Sequence, residues 1–145
     1  MNTLVRPMRI TDHPALLALW QSTPGVSVRD ADGFDAVASY LDRNPGLSFV
    51  AEDDGRIVGG IMAGHDGRRG YLQHLLVAES HRGRGIGRQL VERCTAQLAT
   101  LGIHKSHIDV LTGNEPALQF WQAMGWQVRS DIQRLSFISG GGSNV

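Results

Sequence analysis

The segment from His81 to Arg88 contains the residues whose types and spacing are best suited to chemistry. An apolar, strand-like run ends at Ala78 before it, and a helical pattern begins near Gln89 after it. Glycine lets the backbone approach a ligand closely, and a helix N-terminus offers unpaired N–H groups and partial positive charge. The segment therefore predicts a site for an anion such as a phosphate. Its residues from 82 onward are Arg82, Gly83, Arg84, Gly85, Ile86, Gly87 and Arg88.

The spacing of the glycines separates this segment from the two common nucleotide-binding loops. A Walker loop requires Gly-x-x-x-x-Gly-Lys-[Ser/Thr], and no such string occurs in the sequence. The dinucleotide fingerprint Gly-x-Gly-x-x-Gly fails because Arg88 and Leu90 occupy the required last position. The pattern that does fit is [Gln/Arg]-x-x-Gly-x-[Gly/Ala], which Arg82, Gly85 and Gly87 satisfy.

Hydrophobic periodicity predicts the elements that must position this loop. Asp54–Gly55 is a strong signal for a two-residue hairpin, and Pro7 suits an edge strand. A helix between the strands ending at Ala78 and Leu111 makes those two strands parallel, whereas the earlier strands are antiparallel. The fold class is therefore α/β with a mixed sheet and packed helices. In chain order we predict a strand at 4–10, helices ending near 24 and 44, strands at 47–52, 56–64 and 71–78, a helix at 89–101, a strand at 104–111, a helix at 116–124 and strands at 126–128 and 132–138.

Composition limits the possible classes of function. The 145 residues predict one domain over residues 1–138 and a flexible glycine-rich tail over residues 139–145. Lys plus Arg and Asp plus Glu are equal at 14 each, and no aromatic platform accompanies the arginines, so neither nucleic acid nor an anionic membrane is predicted as a partner. The lone cysteine, Cys94, is interpreted as a core residue. Neither a metal-type Cys/His spacing nor a signal-peptide pattern occurs, which predicts a metal-free cytoplasmic protein.

Three segments together resemble the GNAT superfamily of acetyl-CoA-dependent N-acyltransferases, and most of all its small bacterial members. The first is the strand end Leu75-Leu76-Val77, and the second is the glycine-rich loop. The third is Asn114-x-x-Ala117-x-x-Phe120-Trp121-x-x-x-Gly125-Trp126. The resemblance implies the GNAT fold, with helices on both faces and a central parallel pair of strands splayed around the cosubstrate.

The resemblance also implies how acetyl-CoA would bind. The main-chain N–H groups of residues 82–88 would hold the pyrophosphate, with added bonds from the guanidiniums of Arg82, Arg84 and Arg88. The pantetheine arm would pair with the backbone of residues 75–77 as an added strand does, and Asn114 would face that arm. A backbone N–H near Leu75 would polarise the thioester carbonyl. The wall of this pocket would include Trp121.

The implied reaction is direct attack by a primary amine, of a small molecule or a peptide, on the acetyl carbonyl in a ternary complex. The ammonium must first lose a proton, and family members often carry the base two or four residues before the position of Leu75. Those positions hold Gln73, which cannot accept a proton at neutral pH, and Tyr71, a poor base. His74 has suitable chemistry but the wrong strand parity, unless a bulge turns it inward. Trp121 occupies the place where many relatives have a tyrosine acid, and indole cannot do that work.

Other interpretations stay open at this point. A non-catalytic acyl-CoA-binding sensor module would carry the same loop without the chemistry. Asn114 equally suits a helix cap, and Tyr71 equally suits strand packing. His13 and His81 are interpreted as surface residues. Asp30, Asp32 and Asp35 would attract a cationic acceptor or simply begin a helix. A homodimer through the last strands is a further possibility.

Overall fold

The computed structural model describes residues 3–145 of the chain. It consists of two compact units, of which the first ends at Ile108 and the second comprises Asp109–Val145. The division into one domain and a tail stays a prediction. In the first unit the elements are β1 (Thr3–Pro7), α1 (His13–Ser22), α2 (Phe34–Arg43), β2 (Phe49–Asp53), β3 (Arg56–His65), β4 (Gly70–Val77), α3 (Ile86–Thr100) and β5 (Ser106–Ile108), with short 3₁₀ turns at Ile10–Asp12, Asp30–Asp32 and Glu79–His81; the second unit contains α4 (Glu115–Ala123).

The sheet of the first unit has the mixed topology that the sequence predicts. Its strand order follows the chain from β1 to β5, with antiparallel pairs up to β4 and a parallel pair of β4 with β5. The hairpin between β2 and β3 turns at Asp54 and Gly55, whose φ angles are 49° and 79°. Two successive positive φ angles match the twist of the flanking strands. The predicted α/β fold with a mixed sheet is confirmed.

Two neighbouring glycines of β3 show that helices cover both faces of the sheet. A Cβ built on Gly60 would lie 2.7 Å from a Leu16 methyl of α1, whereas one built on Gly59 would lie 3.5 Å from a Leu90 methyl of α3. Successive residues of a strand point to opposite faces. Helices α1 and α3 therefore pack on opposite sides of the sheet, and α1 approaches closely because Gly60 has no side chain.

The interior of the first unit is apolar, as the periodicity predicts. Cys94 is fully buried, its Sγ donates to the carbonyl of Leu47 at 3.2 Å, and burial raises the pKa of the thiol to about 12. A protonated, inaccessible thiol is a core group and not a nucleophile. The largest fully buried side chains are Trp20, Phe49, Leu16, Leu47, Ile61, Leu90, Leu98, Val37, Val50, Val58 and Val91.

Three boundaries differ from the sequence prediction. Helix α3 begins at Ile86 and not near Gln89. Glycine is a poor helix former, so the glycines before the apolar stripe keep the sequence pattern from showing the first turn. Strand β5 has only three residues. The strands predicted at 126–128 and 132–138 are wrong: no ladder joins these segments in the described part of the chain, and Leu135 and Phe137 are 87% and 90% exposed. Alternating apolar residues form a strand only where a neighbouring strand supplies hydrogen bonds.

The turn before α1 is held by an ion pair. Asp12 accepts from the Arg9 N–H at 2.8 Å and from both terminal nitrogens of Arg6 at 2.8 and 2.9 Å. Burial alone would raise the pKa of Asp12, but the bonds from Arg6 and Arg9 outweigh it and hold the pKa below the ordinary value of 3.8. A carboxylate with a lowered pKa stabilises the fold above its ordinary pKa, and that contribution is lost as pH falls through the lowered value.

We therefore expect Asp12→Asn to cost about 2 kcal/mol at neutral pH. The difference between wild type and variant shrinks in acid, below the ordinary carboxyl pKa of 3.8, because the wild-type carboxyl is then protonated as well. Thermal unfolding of both proteins from neutral pH to about pH 2 measures this. A difference that stays constant over the whole range would contradict the role given to the ion pair.

No helix among residues 3–145 combines the length and apolar composition needed to cross a bilayer. Across the same residues, no three His, Cys, Asp or Glu side chains come together as a metal site would require.

Candidate functional site

The glycine-rich loop connects the end of β4 to the start of α3. Gly83 and Gly85 have φ angles of 75° and 80°, and a Cβ on either would meet no atom within 4 Å. Gly85 is the residue directly before α3, and its carbonyl accepts the first helical hydrogen bond, from Gln89, at 3.1 Å. Left-handed glycines beside open space at a helix N-terminus are typical of loops that bind anions.

The side chains of the loop have unequal roles. Ile86 is buried against β3 and anchors the first turn of α3, so only its main chain is available to a ligand. The Arg82 Nε donates to the carbonyl of Val77 at 3.0 Å and ties the loop to the end of β4. Arg88 lies 3.8 Å from Glu92 on the exposed face of α3. The side chains of Arg82 and Arg88 thus have protein partners, and binding of an anion by the main-chain N–H groups of the loop stays a prediction.

A β-bulge interrupts β4 immediately before the loop. Gln73 pairs with Met62 and Leu76 pairs with Gly60, so Ile61 alone lies opposite two residues, His74 and Leu75. His74 has a φ of 53°, in the left-handed region that residues other than glycine uncommonly adopt. The bulge turns the His74 side chain to the same face as that of Gln73. This is the exception to strand parity that the sequence analysis allowed.

Part of β4 also has a free backbone edge within the first unit. Strand β5 pairs only with Gly70–Leu72, whereas β4 continues to Val77. The edge of residues 73–77 that faces away from β3 is left without a strand partner in the sheet. An extended ligand can pair with such an edge as an added strand.

The three candidate catalytic side chains have three different partners. Tyr71 is 37% exposed and its hydroxyl donates to Asp66 at 3.3 Å. The Gln73 amide donates to the Tyr40 hydroxyl at 3.3 Å. His74 Nε2 lies 2.6 Å from Asp32 Oδ1, and its ring packs 4.9 Å from the Trp20 ring. Of the three, only His74 is an imidazole paired with a carboxylate.

Known proteins related in sequence identify the family of this chain. The sequence model described as the Acetyltransferase (GNAT) family matches residues 14–126. The chain belongs to this GNAT family. An acetyltransferase of Pectobacterium atrosepticum is 31% identical over 123 residues, which cover 85% of this chain and 86% of that protein. This GNAT protein is therefore an N-acetyltransferase, as the resemblance implied.

Solved structures confirm the GNAT fold. PaiA N-acetyltransferase of Thermoplasma acidophilum, solved in complex with coenzyme A, matches with a TM-score of 0.81 at 17% identity, covering 91% of this chain and 94% of its own. AAC(6')-Iy, solved with a bisubstrate analogue, CoA-S-monomethyl-acetylneamine, matches with a TM-score of 0.70 at 21% identity, covering 97% and 99%.

Two candidate cosubstrate residues of this GNAT chain lie in its second unit. The Asn114 side chain accepts from the N–H of Ala117 at 3.3 Å and caps α4, which is one of the two roles that the sequence allowed. Trp121 is 5% exposed and packs edge-on against Trp126 at 4.8 Å and Phe120 at 5.4 Å. Trp121 is thus a packing residue of this unit, and cosubstrate contact by either residue stays a prediction.

Sequence reasoning did not pair any side chain of this GNAT protein with His74 or Gln73. It named Asp32 only as an attractor of a cationic acceptor or part of a helix start, and Asp32 is 7% exposed and bonded to His74. Tyr40 is absent from the sequence-based candidates; burial raises the pKa of its phenol, which therefore stays protonated beside Gln73. One local signal for Asp32 exists, because Arg29-x-x-Asp32 repeats the pattern Arg9-x-x-Asp12 before a second helix.

The interpretation of His13 and His81 as surface residues is wrong. They are 5% and 8% exposed. His13 Nε2 donates to the Asp32 carbonyl at 2.8 Å, and His81 lies between Asp53, at 2.8 Å, and Ser80, at 2.7 Å. An imidazole can be buried when each ring nitrogen finds a partner or an aromatic neighbour, and such pairing is invisible in a single sequence.

Proposed function

We propose that this GNAT protein transfers the acetyl group of acetyl-CoA to a primary amine while both substrates are bound. The observation that carries the proposal is the loop at Gly83 and Gly85, where two positive φ angles open a main-chain cradle at the N-terminus of α3. A Cβ at either position would project into this space, whereas glycine leaves the space open. Glycine at both positions therefore fits a diphosphate. The complexes of two structural neighbours with CoA and a CoA bisubstrate analogue support this ligand.

The chain would hold acetyl-CoA with two parts of the first unit. The N–H groups of residues 82–88 would bind the pyrophosphate, where the helix N-terminus favours negative charge. The free edge of residues 73–77 would pair with the pantetheine arm. An N–H beside the bulge, near Leu75, would polarise the thioester carbonyl. Acetyl-CoA supplies the activated acetyl group. Asn114 and Trp121 are the remaining residues that we propose to contact the cosubstrate.

His74 is the proposed general base. Its ring lies on the face of β4 that α1 covers, where Trp20 packs against it, and Asp32 engages only Nε2. Nδ1 is then available to accept a proton from the substrate ammonium, directly or through one water, which frees the amine to attack. Tyr71 and Gln73 are less suitable, because the phenol donates to Asp66 and the amide cannot accept a proton at neutral pH.

The experiment has two parts. Calorimetry with acetyl-CoA and with its desulfo analogue tests the cosubstrate site without chemistry. Thiol release with acetyl-CoA and a panel of amines, namely small polyamines, amino acids, an aminoglycoside and peptides with free N-termini, then tests transfer. We expect binding of both CoA compounds and amine-dependent thiol release. Failure to bind would reject the site, whereas binding without release by any amine would favour the non-catalytic sensor module.

A further inference from the structure

Hydrogen bonds link three residues of the first unit, His74, Asp32 and His13, behind the proposed base. His74 Nε2 contacts Asp32 Oδ1 at 2.6 Å, and the main-chain carbonyl of the same Asp32 accepts from His13 Nε2 at 2.8 Å. Asp32 and His74 are 42 residues apart in sequence. These hydrogen bonds therefore link α1, the 3₁₀ turn Asp30–Asp32 and the bulge of β4.

The partner of each ring nitrogen assigns the tautomer of His74. A carboxylate can only accept, so Nε2 carries the proton that it donates to Asp32. In the neutral ring the lone pair is then on Nδ1, which has no hydrogen-bond partner among residues 3–145. The nitrogen that is able to take a proton is the one that the protein leaves available.

Asp32 is held in place without any help from His74. Its Oδ2 accepts from the Arg29 N–H at 2.8 Å, and its own N–H donates back to the Arg29 carbonyl at 2.9 Å. His13, itself packed against Trp20 and Phe34, fixes the Asp32 carbonyl. One carboxylate oxygen thus builds the turn, and the other is directed at the imidazole.

The turn around Asp12 shows that this carboxylate geometry does not by itself require a histidine. Asp12 is equally buried, at 7%, and accepts from the N–H three residues earlier at the same 2.8 Å. Its remaining bonds go to the guanidinium of Arg6. The two turns have the same internal geometry, and they differ in what the carboxylate engages outside the turn.

We propose that Asp32 is a positioning residue for acetyl transfer, which keeps His74 in the tautomer with an unprotonated Nδ1 and fixes the direction of that nitrogen. This inference rests on the proposed function. When Nδ1 takes a proton from the substrate ammonium, the imidazolium that forms keeps its Nε2–H bond to Asp32, whose negative charge then stabilises it. The freed amine attacks the thioester carbonyl, the C–N bond forms as the C–S bond breaks, and CoA leaves as the thiolate. The proton on Nδ1 and the second proton of the former amine nitrogen pass to the thiolate or to solvent, and Asp32 takes up no proton.

The backbone supports this role. The φ of 53° at His74 places a histidine in the left-handed region, where glycine is the usual residue. Such strain persists only where surrounding contacts determine the conformation, and it is common at functional sites. Here Asp32 on one side and the Trp20 ring on the other fix the imidazole.

The groups around His74 that carry charge or titrate come from three elements. Asp32 comes from the turn before α2, and His13 from α1 lies beyond it. Tyr40 of α2 contacts the neighbouring Gln73, and burial keeps its phenol neutral by raising its pKa. Of these groups, Asp32 hydrogen-bonds the imidazole, so replacing Asp32 affects the tautomer of His74 most directly.

The test is Asp32→Asn, with Asp12→Asn as the matched control. The Arg29 N–H, which donates to Oδ2 of Asp32, requires an acceptor, so the asparagine oxygen takes that position and the NH2 group faces Nε2. The NH2 group donates to Nε2, which moves the ring proton to Nδ1 and blocks the base. We expect kcat/KM for the amine to fall at least about a hundredfold and its pH profile to shift, with little change in acetyl-CoA affinity. Asp12→Asn should lose stability while keeping kcat/KM and the pH profile.

A second readout does not depend on activity. In protein labelled with ¹⁵N-histidine, imidazole spectra distinguish the two neutral tautomers, and His74→Gln identifies the resonances of residue 74. We expect protonated Nε2 in the wild type and protonated Nδ1 in Asp32→Asn. Unchanged kcat/KM in Asp32→Asn, or an unchanged tautomer, would overturn the positioning role even if the wild type is active.

A wild type that transfers no acetyl group to any amine of the panel would overturn the proposed function instead, and the catalytic role of Asp32 with it, whatever tautomer the spectra show. A tautomer change without a change in pH profile would show that His74 is not the base that Asp32 serves. The two failures are therefore distinguishable.

Discussion

Replacing Gly85 by glutamate is expected to lower the affinity for acetyl-CoA by a hundredfold or more while the protein stays folded. Gly85 has a φ of 80° and no atom within 4 Å of an added Cβ, so the new side chain extends into the proposed diphosphate site. It places a negative charge there and displaces charge-assisted hydrogen bonds, each worth about 1.5–3 kcal/mol. Two such bonds correspond to roughly a hundredfold or more in the dissociation constant. Calorimetry with acetyl-CoA measures the loss.

The matched control for this substitution is Gly102→Glu. Gly102 follows the other end of α3, with the same φ of 80° and the same open surroundings. The backbone strain is therefore equal, and a glutamate is less favourable at a helix C-terminus than at its N-terminus. Gly102→Glu should be at least as destabilised as Gly85→Glu yet bind acetyl-CoA like the wild type. Equal affinities in the two variants would place the diphosphate elsewhere.

Replacing His74 by glutamine is expected to lower kcat/KM for the amine by about 10²- to 10⁴-fold. The glutamine amide can donate to Asp32 nearly where Nε2 does, so the buried carboxylate keeps a partner, but it cannot accept a proton at neutral pH. Thermal stability and acetyl-CoA affinity should change little. Steady-state kinetics, together with calorimetry on the same preparation, separate a loss of base from a loss of binding.

Tyr71→Phe is the control for the His74 prediction. The Tyr71 hydroxyl is engaged by Asp66 at the exposed end of β4, so its removal should leave kcat/KM within a few-fold of wild type. Added imidazole should restore part of the activity of His74→Ala, because a small base can enter the space left by the ring. Full activity in His74→Gln would reject His74 as the base, and a large loss in Tyr71→Phe would reassign that role to the phenol.

Local sequence patterns suffice to predict the glycine-rich loop and most of the elements around it. A strand, a loop with alternating glycines and a helix follow one another within residues 71–100, so their geometry depends on local backbone preferences. The turn at Asp54–Gly55 and the core position of Cys94 are equally local, since turn chemistry and helical spacing suffice to predict them. The family followed from the same contiguous motifs.

Long-range packing explains the position of His74 and of its partner. Strand parity turns His74 away from Gln73 unless a bulge intervenes, and the pairing of β4 with β3 contains that bulge. Asp32 meets His74 across 42 residues of chain, and no local pattern specifies such a contact. The wrong prediction of strands at 126–128 and 132–138 also comes from a dependence on distant residues. A strand requires a hydrogen-bonding partner, which its own sequence does not contain. Local patterns determine backbone conformation, whereas long-range packing determines which groups meet.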